Sequence, residues 1–135
     1  MVFSDGVHDL VSAHARFDQM LLTANELPFA KQPVIELTTG RIVGYSGVAR
    51  FDFQGASRLE FGYRLVPEAR GRGYATEAGR ALLALAAETF RGELLGMVHP
   101  ANEASIRVIT KLGFEFWKQA EVNGYVDNLY RRTFR

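Results

Sequence analysis

Apolar and polar positions along this chain change period several times, and each change marks an element. Val7, Leu10, Val11, His14, Phe17 and Leu21 fall on one helical face behind Ser4-Asp5-Gly6, a suitable helix cap. The spacing predicts a helix over about 8–23, with His14 on its apolar stripe as a packing residue. Asn25-Glu26-Leu27-Pro28 breaks it. A period of two follows. Residues 32–38 read as a strand carrying Val34, Ile35 and Leu37; Thr39-Gly40 turns, and 41–53 returns. Gly44 and Gly47 in the second strand predict a bulge or the close approach of a neighbour. Gln54-Gly55-Ala56-Ser57 turns again into a third strand over 59–65, with Phe61, Tyr63 and Leu65.

Pro67 removes a backbone donor and ends that strand. A glycine-rich loop, Arg70-Gly71-Arg72-Gly73-Tyr74-Ala75, leads into a helix over about 74–90. On it Ala75, Ala78, Leu82, Leu85, Ala86 and Thr89 share a face, Leu83 and Phe90 widen it, and Gly92 is the expected stop. Small residues at Ala75, Ala78 and Gly79 predict close packing of its first turns on a sheet. The apolar run 94–98 suits a buried strand, and strand-helix-strand order argues for parallel pairing across the helix. Asn102 can cap a helix over 103–112, with Gly113 as its left-handed stop. Residues 115–122 and 125–134 form a last hairpin around Asn123-Gly124, with apolar Trp117, Val122, Val126, Leu129 and Tyr130. Arg131, Arg132 and Arg135 give it a basic end, read as a solvated edge.

Composition narrows the class. A length of 135 residues suits one domain over 1–135, and 47% hydrophobic with 23% charged residues is ordinary for a globular protein. A net charge of +1 predicts no nucleic-acid or anionic-membrane partner. With no cysteine, disulfides, a thiol nucleophile and thiolate metal sites are excluded, and a reducing cytoplasm is the expected setting. No signal peptide or spanning apolar run is visible. No metal site is expected.

Chemistry concentrates in the glycine-rich loop. Gly71 and Gly73 let backbone approach a ligand closely, and the helix behind them begins with unpaired N–H groups and a positive dipole end. Arg70 and Arg72 add charge, so the physical reading is a phosphate cradle; a plain strand-to-helix connection is the blander one. There is no Gly-Lys-Ser/Thr of a Walker loop, and the third glycine of a dinucleotide fingerprint is missing. Arg-x-x-Gly-x-Ala at Arg70, Gly73 and Ala75, after a strand and Pro67-Glu68, resembles the pyrophosphate motif of the GNAT acetyltransferase superfamily. The wider run GYRLVPEARGRGYATEA is most similar to the ribosomal-protein N-terminal acetyltransferase (RimJ/RimL-like) branch. A second block, Asn102-x2-Ser105-x7-Gly113-Phe114, resembles the family's Asn-x-x-Ala/Ser signature ending in Leu-Gly-Phe. Capping explains Asn102 and Gly113 singly but not both blocks in the right order.

The resemblance covers 32–134 and implies an α/β (α+β) fold: a mixed, mostly antiparallel sheet of about six strands, flanking helices, and a parallel pair around the loop. It implies an N-acetyltransferase using acetyl-CoA as co-substrate, with direct transfer to an amine. By resemblance, backbone N–H groups of Arg70, Gly71, Arg72, Gly73, Tyr74, Ala75 and Thr76 take the pyrophosphate. Backbone at Leu65 and Val66 binds pantetheine and polarises the carbonyl, and Asn102 hydrogen-bonds the pantetheine arm. Glu60 matches a position where many members carry a glutamate near the amine; the alternative is a surface carboxylate paired with Arg58 or Arg64. The family's frequent tyrosine acid falls at Ile109 here, so Ser105 is the nearest polar replacement, against the alternative of a first-turn serine bonding backbone. His99 is a third candidate, with a structural reading beside Pro100.

The family usually begins with a further strand and helix, which this sequence is too short to contain. A compact variant, a fragment and a late start all fit, and an exposed sheet edge would favour a homodimer. The acceptor, a protein N-terminus or a small-molecule amine, is not readable. Tyr45, Phe51 and Phe53 suggest an aromatic pocket or plain core packing. The rival functions are a non-catalytic acyl-CoA-binding module and an interaction subunit on the same fold.

Overall fold

One six-stranded sheet carries two helices in the computed structural model, which describes residues 27–135. The helix expected over 8–23, and His14 with it, lies outside the described residues. The order is β1 (Gln32–Ile35), β2 (Ile42–Phe53), β3 (Ala56–Leu65), a 3-10 turn (Pro67–Ala69), α1 (Tyr74–Thr89), β4 (Gly92–Val98), α2 (Glu103–Lys111), β5 (Glu115–Val122) and β6 (Tyr125–Phe134). The strands lie in the order β1-β2-β3-β4-β6-β5. Every neighbouring pair is antiparallel except β3 and β4, which α1 joins as a parallel pair. The sheet has the mixed, mostly antiparallel character expected.

Local chemistry explains the turns. Gln54 and Gly55 both have positive φ (51° and 79°), so two residues reverse the chain and Phe53 pairs directly with Ala56. The turn is tighter than the expected four residues. Asn123 and Gly124 repeat the geometry at 52° and 84°, with Val122 opposite Tyr125. β1 stops at Ile35 instead of running to Thr38, and the ladder shifts register between Val34 and Ile35, opposite Gly44 and Ile42. Gly47 meets the predicted close neighbour: a Cβ there would lie 2.5 Å from the Ala30 carbonyl oxygen.

The core lies between one sheet face and both helices. Val48, Phe61, Leu94 and Val98 pack under Leu82, Leu83 and Ala86 of α1, Ile109 of α2 and Leu112 just beyond it. α1 buries Ala75, Gly79, Leu82, Leu83 and Ala86, a stripe rotated from the expected one, while Leu85 and Thr89 face outward. Gly79 explains the rotation, because a Cβ there would lie 2.7 Å from Leu112 and 3.2 Å from Phe61. α1 ends at Thr89 with the Phe90 N–H bonded to Ala86, so Gly92 opens β4 and does not stop the helix. α2 behaves as expected. Asn102 caps it, and Gly113 (φ 88°) closes it with Gly113 N–H to Thr110 and Phe114 N–H to Ile109.

One expectation about the last hairpin is overturned. β6 sits between β4 and β5, so its arginines do not lie on an edge. Arg132 donates to the Leu112 carbonyl at 2.9 Å, and Arg131 lies 3.9 Å from Glu93 and stacks over Trp117. Among the described residues no helix is long and apolar enough to cross a membrane, and no cluster of acidic or histidine side chains is placed to hold a metal ion.

β3 stays in register with β2 along its whole length, from Ala56 opposite Phe53 to Leu65 opposite Gly44. The parallel ladder of β3 with β4 holds only one registered pair, Glu60 opposite Leu95. The two strands therefore part beyond Glu60 and leave a wedge between them.

Candidate active site

The chain leaves β3 at Leu65, and the Val66 N–H bonds back to Val43 at 2.8 Å. Pro67 starts the 3-10 turn, and the Arg70 side chain returns its Nε–H to the Leu65 carbonyl at 3.2 Å. Gly71 and Gly73 then take left-handed conformations, φ 74° and 80°, that any side chain would strain. Gly73 is the N-cap of α1 and no side chain caps the helix, so its first N–H groups stay available. A Cβ on either glycine would meet nothing within 4 Å, so backbone here lies open to a ligand.

That open backbone borders a cleft of about 630 Å³. The loop and the start of α1 form one wall (Gly71, Gly73, Ala75, Thr76), and α2 forms the other (Asn102, Ser105, Val108). Arg70, Arg107 and Lys111 also line it. With Arg64, which lines it too, four cations, a helix N-terminus and unobstructed glycine backbone fit a polyanion such as a pyrophosphate. Arg107 and Lys111 were missed from sequence because their helical spacing gains meaning only once α2 faces the loop.

Most loop residues line this cleft, but Arg72 and Val66 do not. The Arg72 side chain turns to Glu36 at 3.3 Å, so its expected charge is spent on a protein carboxylate. Tyr74 donates to the same Glu36 oxygen at 2.7 Å. The Tyr74 hydrogen bond, with help from Thr39 and the nearby arginines, holds the Glu36 carboxyl below its ordinary range. The β1–β2 turn is thereby tied to the loop.

Asn102 Oδ1 accepts the Ser105 N–H at 3.1 Å, the cap read from sequence. The Ser105 hydroxyl is engaged by a side chain: Tyr63 donates to its Oγ at 3.0 Å. Tyr63 was counted from sequence only as a strand former. His99 Nδ1 accepts the Ala101 N–H at 3.0 Å, a local structural bond. Ile109 is buried in the core at 3% exposure, with its Cδ1 beside Gly96.

Glu60 lies on the other side of the sheet. Successive β3 side chains alternate, and Leu59, Phe61 and Tyr63 pack with the helical core, so Glu60 points away from it. Loss of solvation on burial raises its carboxyl to about 7; Lys31 opposes the shift and Asp127 reinforces it. Of the two partners in the alternative reading, Arg58 bonds Glu93 at 3.2 Å. A carboxyl that titrates near neutrality beside the wedge can take a proton from an ammonium group at ordinary pH. Glu60 and the Tyr63–Ser105 pair thus lie on opposite faces of the sheet, with the cationic cleft on the pair's side.

Comparison with known proteins decides the family. The family model for the acetyltransferase (GNAT) domain matches residues 2–115. The chain belongs to the GNAT acetyltransferases. Among curated relatives, the uncharacterized protein YkkB of Bacillus subtilis (strain 168) is 35% identical over 81 residues, 59% of this chain and 47% of that protein. The chain thus spans about half the length of that relative. Among solved structures, an acetyltransferase from Agrobacterium tumefaciens str. C58 is 28% identical with a TM-score of 0.78, over 95% of this chain and 74% of that one. A GnaT-family acetyltransferase from Bordetella pertussis shares the fold at 22% identity and a TM-score of 0.80, over 90% of this chain and 75% of that one.

Proposed function

We propose that this GNAT chain transfers the acetyl group of acetyl-CoA to a primary amine by direct attack in a ternary complex. The observation that carries the reading is the cationic cleft of open glycine backbone at the end of β3, with Glu60 on the opposite face of the same strand. Bound acetyl-CoA supplies a thioester, an activated acyl group with a good leaving thiolate. Backbone N–H groups from Arg70 to Thr76 hold its pyrophosphate, as their open geometry at Gly71 and Gly73 allows. Backbone at Leu65, where β3 has lost its β4 partner, holds the pantetheine arm and polarises the carbonyl; the Val66 N–H expected to share that role is engaged by the Val43 carbonyl at 2.8 Å. Asn102 bonds that arm with its amide NH2, its oxygen being used in the cap. Glu60 removes the proton of the attacking amine, and Ser105 supplies a proton to the leaving sulfur.

The acceptor is an amine on a protein N-terminus or a small molecule, in the RimJ/RimL-like manner. Fold neighbours include ribosomal-protein-S5-alanine acetyltransferase from Vibrio fischeri, 21% identical with a TM-score of 0.69. A phosphinothricin acetyltransferase from Sinorhizobium meliloti, in complex with AcCoA, is 21% identical with a TM-score of 0.70. The reading extends to a cytoplasmic homodimer joined along the β1 edge of the described sheet; a monomer mass in light scattering would remove the dimer.

Release of free thiol from acetyl-CoA, with an alanine-initiated peptide, spermidine or kanamycin as acceptor, tests the transferase. The chain has no cysteine, so a thiol reagent reports coenzyme A alone. The buried Ile109 in place of a tyrosine favours one second reading, an acyl-CoA-binding module without turnover. Tight binding with no thiol release under any amine would decide for it.

A further inference from the structure

We propose that Tyr63 is the positioning residue that turns Ser105 into the proton donor for the leaving thiolate. This rests on the transferase reading above. Tyr63 reaches its place because β3 alternates, so its ring enters the helical side of the sheet just before the strand ends. There the ring packs against two apolar clusters at once. One is the main core; the other is formed by Val43, Leu65, Ala69 and Ala75. A ring held on both sides leaves its hydroxyl little freedom, and that hydroxyl emerges in the cleft wall.

Across the cleft corner stands Ser105, in the first turn of α2. Its backbone is fixed by the Asn102 cap at 3.1 Å and its oxygen by Tyr63 at 3.0 Å. A serine hydroxyl has one proton and two acceptor sites, and its proton swings to suit the surroundings. With one acceptor site filled by Tyr63, the serine proton is directed away from the tyrosine, toward the cleft both residues line. The usual alternative for a first-turn serine is a bond to backbone; here the tyrosine competes for it.

The step balances. The amine nitrogen bonds to the thioester carbonyl carbon, the carbon–sulfur bond breaks, and its electron pair stays on sulfur. Sulfur takes the Ser105 proton as Ser105 takes the Tyr63 proton. The amine proton goes to Glu60, and water returns it to Tyr63. The products are an amide and a thiol, with the protein restored.

The test uses the full chain and the thiol-release assay, with acetyl-CoA binding followed by calorimetry. Tyr63→Phe keeps the ring and removes only the donor. It is expected to lower kcat by roughly 10- to 100-fold, at the low end of proton-transfer effects, with KM and Kd for acetyl-CoA within about twofold. Ser105→Ala should match it, the double variant should be no worse than either single one, and Ser105→Thr should retain most activity. A kcat within twofold of wild type in Tyr63→Phe overturns the inference, as do multiplying losses in the double variant or a loss confined to KM. Should Tyr63→Phe not fold, the Ala and Thr variants of Ser105 decide alone: equal rates overturn the inference, and a loss in Ala restored in Thr supports it. Thiol release by wild type with an unaffected Tyr63→Phe sinks this inference only. Acetyl-CoA binding without release from wild type sinks the transferase reading with it.

Discussion

The two sides of the wedge are built on different principles. On the cleft side the chemistry is made mostly of backbone: two left-handed glycines, an uncapped helix start and an open surface. On the other side it is one side chain, Glu60, whose character comes from what surrounds it. Backbone sites tolerate side-chain change and fail only when the backbone is blocked. A half-buried carboxyl responds continuously to each charge nearby. The two halves should therefore break in different ways, the first abruptly and in binding, the second in rate and pH dependence.

The largest effect is expected at Gly73→Glu. It places a carboxylate where the proposed function puts the phosphates and forces a non-glycine residue into φ near 80°. Acetyl-CoA binding should fall by at least about 100-fold in calorimetry, while circular dichroism shows a folded protein, because the position is exposed and surrounded by open space. Binding unchanged within a fewfold would show that the loop is only a connection.

Glu60→Gln comes next and should leave that binding intact. Its kcat is expected to drop about 100-fold or more, the usual scale for losing a general base. Stability should move the other way. A carboxyl whose folded value is raised from 4.5 to about 7 gives its stabilising contribution in full below 4.5 and loses it as pH rises through 7. Glutamine carries no such loss, so the variant's Tm should exceed that of wild type by a few degrees at pH 8 to 9 and match it near pH 4. A lower Tm at every pH would mean that the carboxylate is stabilised by its surroundings, contrary to its burial. A lower rate with higher alkaline stability is the signature of a carboxyl kept for chemistry.

How much of this was legible follows the same division. The turn at Asn123-Gly124 and the bounds of α2 were legible because each rests on a few adjacent residues with one conformational answer. The loop was legible for the same reason, since glycines before a helix need no distant partner. The buried stripe of α1 was misread at Leu85 because alanine-rich helices define no sharp apolar face; Leu112 and Phe61, from other elements, choose Gly79. The arginines of β6 were assigned to an edge because strand order is settled by pairing between segments far apart in sequence. Tyr63 and Ser105 are 42 residues apart and meet only through the fold. Glu60 could be named from its position, but a carboxyl's proton affinity depends on burial, which sequence does not display.

The finest test lies in the charges around Glu60. Lys31 favours the carboxylate and Asp127 disfavours it, both secondary to burial. Lys31→Met should therefore raise the pH at which activity sets in, and Asp127→Asn should lower it, in each case by less than about one pH unit at ordinary salt. The rising limb of rate against pH should centre near 7 in wild type if Glu60 is the base, since a base acts in its charged carboxylate form. Opposite displacements from two variants that change charge by one unit cannot come from a general loss of folding, which would lower both plateaus. They would place the base between those two side chains. Displacement in the same direction, or none, would mean that the limb belongs to another group, such as the ammonium of the acceptor itself. In that event changing the acceptor's own amine pKa would move the limb in wild type, whereas a limb owned by Glu60 stays where its burial puts it.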